Sequence, residues 1–204
     1  GEIWHILDQR FGIPPTLIEF TTLHSHDLSA YNVIILANGS PTEPLSPQAL
    51  PKLKEWVENG GTLITTGSAY KLTNKAKITD FKTLSQGKKK DKAEGNAHIE
   101  YQPYHNTAKS KSGIEGVIFN CHLDITSPLG YGYENPNVAI MKNGTTVMDF
   151  SQIKGSSPMQ YTKQPYLSGC VSQKNINRIA NSPAALVTKS GKGNVIWFAD
   201  DLNY

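Results

Sequence analysis

Hydrophobic residues near the start of the chain follow first a helical and then a strand period. Residues 2–11 carry apolar side chains at helical spacing, and Gly12 ends the predicted helix. Residues 16–20 form a short run rich in β-formers. Residues 32–37 carry apolar side chains at both odd and even positions, which is typical of a strand buried on both faces of a sheet.

A second helix and a further strand follow before residue 70. Ser46 and Pro47 match an N-cap serine and a proline at the first helical position. The helix that they predict has an apolar stripe of Leu50, Leu53, Trp56 and Val57. Residues 62–66 then predict a buried strand. The order helix, strand, strand, helix, strand predicts a parallel, doubly wound sheet.

The remainder of the chain is predicted to be richer in strands. Residues from about 73 to 113 are polar and lysine-rich, which indicates an irregular insertion. Residues 116–123 predict a strand. Two hairpins are expected, one joining 137–143 to 145–150 around Asn143-Gly144, and one joining 184–188 to 194–199 around Gly191-Lys192-Gly193. The predicted fold is therefore α/β with a β-rich C-terminal part.

Length and composition are those of a globular chain. The 204 residues suffice for a single domain, 1–204, and 38% are hydrophobic and 18% charged. Both ends of the sequence suggest a piece excised from a longer protein. The apolar runs are too short for a membrane span. The net charge of +3, with one lysine cluster at 88–92 that lacks interleaved aromatic residues, argues against a nucleic-acid partner.

The residues that could hold a metal do not form a known pattern. Cys121 and Cys170 are not in a Cys-x-x-Cys pair, so they are either two buried thiols or one disulfide. His24 and His26 flank Ser25, where solvated polar residues are more expected than metal ligands. No metal site and no cofactor are predicted within this chain.

Polar residues follow four of the predicted strands. Since ligands bind at the carboxyl ends of strands in open α/β sheets, one crevice is expected there. Its candidate binding residues are Asn38, Ser40, Ser68, Asp124, Asp200 and Asp201.

Chemistry at this crevice has weak candidates in Ser68 and Asp200. Ser68 occupies a strand-to-helix turn without the second glycine of a nucleophile elbow, so a serine that caps the next helix is more expected than a nucleophile. Asp200 and Asp201 are neighbours that point opposite ways, so only one of them would face the crevice. Tyr131 and Tyr133 could form an aromatic wall for a sugar or a peptide, or could pack in a hairpin.

Four segments together resemble a known family. Residues 28–39 and 53–67 resemble strand regions of a glutamine amidotransferase-like domain. Asp124-Ile-Thr-Ser-Pro-Leu-Gly-Tyr-Gly-Tyr is similar to an Asp-x-Thr-His-Pro-Leu-x-x-Gly-Tyr motif. Residues 191–204 resemble a Gly-Lys-Gly-x-Val-Ile-x-Phe-x-Asp-Asp-Pro-Asn-Phe end. These motifs resemble those of the class I amidotransferase-like domain at the C-terminus of zinc carboxypeptidase-like proteins of the carboxypeptidase A type.

The resemblance implies a flavodoxin-like sheet flanked by helices but not amidotransferase activity. The family's cysteine is replaced at Ser68-Ala69, and its His-Pro-Glu is replaced by Asp200-Asp201-Leu202. Ser127 stands where the related motif has histidine. Without a thiolate and a general base, glutamine hydrolysis has no route, so the chain is expected to be a pseudoenzyme.

The resemblance further implies a non-catalytic accessory domain of a secreted or periplasmic zinc carboxypeptidase-like hydrolase. Such a domain would pack on the upstream peptidase domain or present peptide or cell-wall fragments to it, and the zinc would belong to that peptidase domain. Two alternatives stay open. One is a hydrolase that uses Ser68 or Asp200, and the other is a sugar-binding module related to trehalose-utilisation proteins, with Tyr131 or Tyr133 involved.

Overall fold

Strands dominate the computed structural model, which describes residues 2–39, 46–84, 113–149 and 155–200. The strands are β1 (Val33–Leu36), β2 (Thr62–Thr66), β3 (Lys82–Thr83), β4 (Val117–Leu123), β5 (Asn137–Lys142), β6 (Met148–Asp149), β7 (Ser156–Ser168), β8 (Pro183–Ser190) and β9 (Gly193–Phe198). The helices are α1 (Glu2–His5), which continues as a π-helix (Ile6–Arg10), α2 (Ala49–Glu58), α3 (Tyr70–Lys75) and α4 (Gln173–Ile179).

Seven of these strands form one mixed sheet in the order β1-β2-β9-β8-β7-β4-β5. Strands β1, β2 and β9 are parallel, while every pairing from β9 onward to β5 is antiparallel. Short β3 and β6 pair with each other in a separate antiparallel ribbon. The predicted α/β class, with a parallel part and a β-rich C-terminal part, is confirmed.

Two hydrophobic cores lie against this sheet. The first lies between α2 and the parallel strands, where Leu53 and Val57 pack with Leu63, Val195 and Trp197. The predicted stripe of α2 thus faces the core, although the helix starts at Ala49, after Ser46 and Pro47. The second core lies between α4 and the antiparallel strands, and it includes Phe119, Cys121, Tyr161, Ile179 and Ala185.

The hairpin of β8 and β9 is confirmed. Ser190 pairs with Gly193, so the turn consists of Gly191 and Lys192. Gly191 has a φ of +59°, and a Cβ there would lie 2.7 Å from Cα of Glu58 at the end of α2. Glycine is required here both by the backbone conformation and by the close approach of the helix.

Three predictions about strands were wrong. Residues 16–20 form no strand, and Ile18 and Phe20 instead pack from a loop onto the first core. The strand at 33–36 is not buried on both faces, because β1 is at the sheet edge and leaves Val33 49% and Ile35 36% exposed. The expected hairpin at 137–150 is absent, since β6 pairs with β3 rather than β5.

Local contacts explain the missing hairpin. The side chain of Asn143 accepts a hydrogen bond from the Gly116 amide at 2.7 Å, and the Gly144 amide donates to Ile114 at 2.7 Å. The Asn-Gly pair therefore joins β5 to the segment before β4, and the chain continues to β6, which pairs with β3.

The predicted insertion at 73–113 is described only in part. Its first residues form the end of α3 and strand β3, and residues 85–112, with the lysine cluster at 88–92, lie outside the described ranges. No helix within the described ranges has the length and apolar character needed to cross a membrane.

Candidate functional site

The ends of the neighbouring strands β1 and β2 are joined by polar side chains. Asn38 follows β1, and its carboxamide oxygen accepts hydrogen bonds from the Ser68 amide at 2.9 Å and the Ser68 hydroxyl at 3.0 Å. The backbone amide of Asn38 donates a hydrogen bond to the Thr66 hydroxyl at 2.8 Å. The predicted proximity of Asn38 and Ser68 is therefore observed.

The turn that carries Ser68 is fixed by its glycine. Gly67 has a φ of +52°, and a Cβ at this position would lie 2.4 Å from Cγ of Asn38. The Gly67 carbonyl accepts a hydrogen bond from the Trp197 indole at 2.9 Å. Gly67 thus adopts the left-handed backbone conformation, and its lack of a Cβ allows the Asn38 side chain to approach the turn.

These contacts do not activate Ser68 as a nucleophile. Its hydroxyl donates to the amide oxygen of Asn38, and an amide oxygen does not accept the proton as a general base would. Ser68 does not cap α3 either, because that helix begins after Ala69 without a side-chain cap. The observed contacts make Asn38 and Ser68 a structural tie between two strand ends.

The carboxylate of Asp200 contacts Lys142 and Tyr161, and Tyr161 belongs to the second core. The Lys142 ammonium lies 2.9 Å from Oδ1 and 3.1 Å from Oδ2 of Asp200, and the Tyr161 hydroxyl also donates to Oδ2. The Lys142 and Asp200 side chains are 0% and 1% exposed. Burial, followed by the negative charge of Asp200, raises the pKa of Tyr161 well above 10.0.

Asp124 lies at a different place on the sheet. Strand β4 runs antiparallel to its neighbours, and the pairs Leu123–Met159, Met159–Ala185 and Ala185–Phe198 place three strand spacings between the ends of β4 and β9. At about 4.8 Å per strand this separation is roughly 14 Å along a sheet. Within the described ranges, the hydrogen bonds of Asp124 are made to Thr126, Ser127 and Pro158, and none joins it to Asn38 or Ser68.

The Asp124 side chain organises the loop that follows β4. Its Oδ1 accepts hydrogen bonds from the Thr126 amide at 2.9 Å and the Thr126 hydroxyl at 2.6 Å. The side-chain hydrogen bond from Thr126, followed by the backbone one, lowers the pKa of Asp124. Gly130 closes the loop tightly, because a Cβ there would lie 2.4 Å from the Asp124 carbonyl oxygen.

The predicted site residues are thus divided among three places. Asn38 and Ser68 form the tie, Asp200 is in the second core, and Asp124 begins the loop after β4. Ser40 and Asp201 lie outside the described residues.

A pocket of about 120 Å³ lies beside the loop after β4. It is lined by Leu123, Leu129, Tyr133, Val138, Ala139, Ile140, Pro158, Met159, Ala185 and Phe198. Tyr133 is 56% exposed and forms part of the wall, whereas Tyr131 is 69% exposed and is not among these lining residues. We call this cavity the Tyr133 pocket.

Sequence reasoning missed both the Tyr133 pocket and the buried ion pair. The pocket combines residues from five strands and a loop, and no local motif marks such a combination. The ion pair had one usable signal, because the alternation Val138, Ile140, Lys142 places a lysine on the inward face of β5. Its partner Asp200 was identified, but as a crevice residue.

The described residues offer little for a metal. Within 2–39, 46–84, 113–149 and 155–200, no group of three or more histidine, cysteine or acidic residues could hold an ion. Nδ1 of His24 lies 3.0 Å from the backbone carbonyl oxygen of Thr21. Nε2 of His26 lies 3.4 Å from the hydroxyl oxygen of Thr22. Cys121 is buried and Cys170 is exposed, both as free thiols, so neither a disulfide nor two buried thiols is observed.

Comparison with known proteins shows the fold class. No protein-family model and no curated protein matches the sequence. Among solved structures, a cytoplasmic protein from Salmonella typhimurium superposes with a TM-score of 0.56 at 16% identity, covering 98% of this chain and 76% of that one.

Two further solved structures are described as ThuA-like proteins. The one from Parabacteroides merdae gives a TM-score of 0.56 at 12% identity and covers 98% of this chain and 76% of its own. The one from Bacteroides uniformis gives a TM-score of 0.53 at 11% identity, and the match covers 95% of this chain and 70% of that one. The chain has the flavodoxin-like, class I glutamine amidotransferase-like fold that these proteins share.

Proposed function

We infer that the chain is a non-catalytic carbohydrate-binding domain whose ligand lies against Tyr133. The observation that carries this proposal is the Tyr133 pocket, with an aromatic ring that is half exposed at its wall. Binding sites for small ligands are mostly apolar cavities with a few fixed polar groups, and this pocket has that character. An aromatic ring covers the apolar face of a sugar and leaves its hydroxyls in water.

The loop beside the pocket supplies fixed polar groups. Asp124 directly follows the pocket residue Leu123, and its carboxylate is held by the Thr126 amide and hydroxyl. The carboxyl is ionised at neutral pH, as an aspartate ordinarily is, and the bonds from Thr126 lower its pKa further, so it can accept hydrogen bonds from sugar hydroxyls. The loop is therefore suited to a ligand that is apolar on one side and rich in hydroxyls on the other.

The structural neighbours agree with the carbohydrate interpretation of the sequence. ThuA-like proteins are among them, and a module related to trehalose-utilisation proteins was one of the alternatives that the sequence allowed. The accessory role beside an upstream zinc peptidase stays a prediction. A hydrolase has less support, because the hydroxyl of Ser68 contacts an amide and the carboxylate of Asp200 is buried.

The proposal is tested by a glycan array followed by calorimetric titration of the strongest glycan. Tyr133→Ala should weaken binding at least about tenfold, equivalent to about 1.4 kcal/mol. Tyr131→Ala is the matched control, since Tyr131 belongs to the same loop, is 69% exposed and is outside the pocket. It should leave affinity unchanged within about twofold. Failure of every glycan to bind, or equal effects of the two variants, would overturn the proposal.

A further inference from the structure

The side chains that line the Tyr133 pocket are nearly all apolar, and its polar surface comes from backbone atoms and the Tyr133 hydroxyl. Apart from Tyr133, every described residue that lines it has an aliphatic, proline, methionine or phenylalanine side chain. Four of these residues, Leu123, Ile140, Met159 and Ala185, are also members of the second core. The pocket is thus an opening into the core and not merely a groove in the polar surface.

This lining disfavours burial of a sugar ring. Each hydroxyl that entered the pocket would leave water and would have to find a partner among backbone atoms and one tyrosine hydroxyl. An apolar group makes no such demand, and its transfer from water is favourable in proportion to the area buried. The side chains of the interior therefore favour an apolar group.

The size of the pocket sets the size of that group. Its volume is about 120 Å³. For comparison, an engineered cavity of about 150 Å³ lined by leucine, isoleucine and phenylalanine in another protein takes up benzene. Met159 and Phe198 contribute a thioether and a ring to the lining, and both pack well against aromatic ligands.

The two parts of the site define one type of ligand. We propose, on the basis of the carbohydrate-binding function above, that the ligand is a glycoside with an aryl or short branched-alkyl aglycone. The aglycone occupies the Tyr133 pocket and contacts the lining residues Leu129 and Met159. The sugar remains at the opening, between the ring of Tyr133 and the carboxylate of Asp124, where its hydroxyls stay in contact with water. No bond is made or broken.

Matched phenyl and methyl glycosides of glucose, galactose and N-acetylglucosamine test this inference by calorimetric titration. The phenyl glycoside of the sugar that binds should have at least about tenfold higher affinity than its methyl counterpart. Leu129→Trp, which places a larger side chain among the lining residues, should remove this advantage while the methyl glycoside still binds. Circular dichroism checks that the variant is folded.

A second measurement does not depend on any variant. With ¹³C-methyl methionine, the phenyl glycoside should shift the Met159 resonance through the ring current, and the methyl glycoside should shift it much less. Met148 is the internal control, because it is buried in the first core. Its resonance should not move with either glycoside.

The outcomes separate the two proposals. Equal affinity for phenyl and methyl glycosides, with no selective shift of Met159, would overturn the aglycone inference and leave carbohydrate binding intact. Binding of neither glycoside, with no binding on the glycan array, would overturn both.

Discussion

The ammonium of Lys142 lies 2.9 Å from the carboxylate of Asp200, and both side chains are buried. Lys142 ends β5 at one edge of the sheet, whereas Asp200 follows β9, and β8, β7 and β4 lie between these strands. In a flat sheet, four spacings of about 4.8 Å would separate β5 from β9 by roughly 19 Å. The contact therefore requires a curled sheet, and it ties the antiparallel edge to the end of the parallel part.

Loss of one partner of this pair should strongly destabilise the fold. Lys142→Met leaves the Asp200 carboxylate without its ammonium partner, so the free energy of unfolding should fall by about 3–5 kcal/mol. Lys142→Met combined with Asp200→Leu should recover a large part of that loss. Urea denaturation measures both changes.

The exposed pair Lys54–Glu58 is the matched control. Its atoms are 3.7 Å apart, and its side chains are 36% and 46% exposed. Lys54→Met should change the free energy of unfolding by less than about 1 kcal/mol. Equal effects at Lys54 and Lys142 would show that the buried contact has no special role in stability.

Stability should fall at alkaline pH because of Tyr161. Its pKa is raised in the folded state by burial and by Asp200, so above the ordinary pKa of 10.0 the unfolded chain loses a proton that the folded protein keeps. The contribution of Tyr161 to the free energy of unfolding is fully present below about pH 10. It is lost as pH rises, at up to about 1.4 kcal/mol per pH unit. Urea denaturation from about pH 8 to about pH 11 should show a shallower decline in Tyr161→Phe. An identical slope in both proteins would contradict this assignment.

The two thiols should differ sharply in reactivity. Cys170 is exposed, while Cys121 is buried in the second core, and burial followed by the charge of Asp200 raises the pKa of the Cys121 thiol. The reactive species is the thiolate, so a disulfide reagent such as DTNB should modify one thiol of the native protein and two after denaturation. Cys170→Ser should remove the native reaction. Rapid modification of that variant would mean that Cys121 is accessible.

Gly67→Ala should test the tie between β1 and β2. The substitution combines a left-handed φ with a Cβ placed 2.4 Å from Asn38, so it should destabilise the fold by more than backbone strain alone. Gly116→Ala is the control, since Gly116 has a φ of +64° and no atom within 4 Å of the added Cβ. The difference between the two, measured by thermal unfolding, reports the contact with Asn38. No difference would mean that the turn can move away from Asn38.

The local part of the fold could be predicted from sequence, because each element has its own signal. The parallel strands β1 and β2, helix α2 and the hairpin at Gly191 all follow from hydrophobic runs and turn residues close in the chain. Strand β7 carried no such signal, since its 13 residues mix buried and exposed positions irregularly and its pairing contains bulges. The failed hairpin at Asn143 shows that tertiary pairing can override a favourable turn sequence.

The candidate site was less predictable, because it depends on strand direction and sheet curvature. The expected crevice assumed that β4 lies beside β1, β2 and β9, whereas β8 and β7 lie between β9 and β4 and place Asp124 three strands along the sheet. Tyr133 was identified as a candidate sugar wall from its side chain alone. The pocket next to it required the positions of strands that are distant in sequence.

The most direct test of the central claim maps the ligand onto the protein by amide NMR. The ¹⁵N-labelled chain is titrated with the glycan that binds best on the array. We expect the largest chemical-shift changes at residues 123–133 and 138–140, around the Tyr133 pocket, and no change at Asn38 or Ser68. Changes confined to the tie between Asn38 and Ser68, or no saturable change at all, would contradict the proposed site.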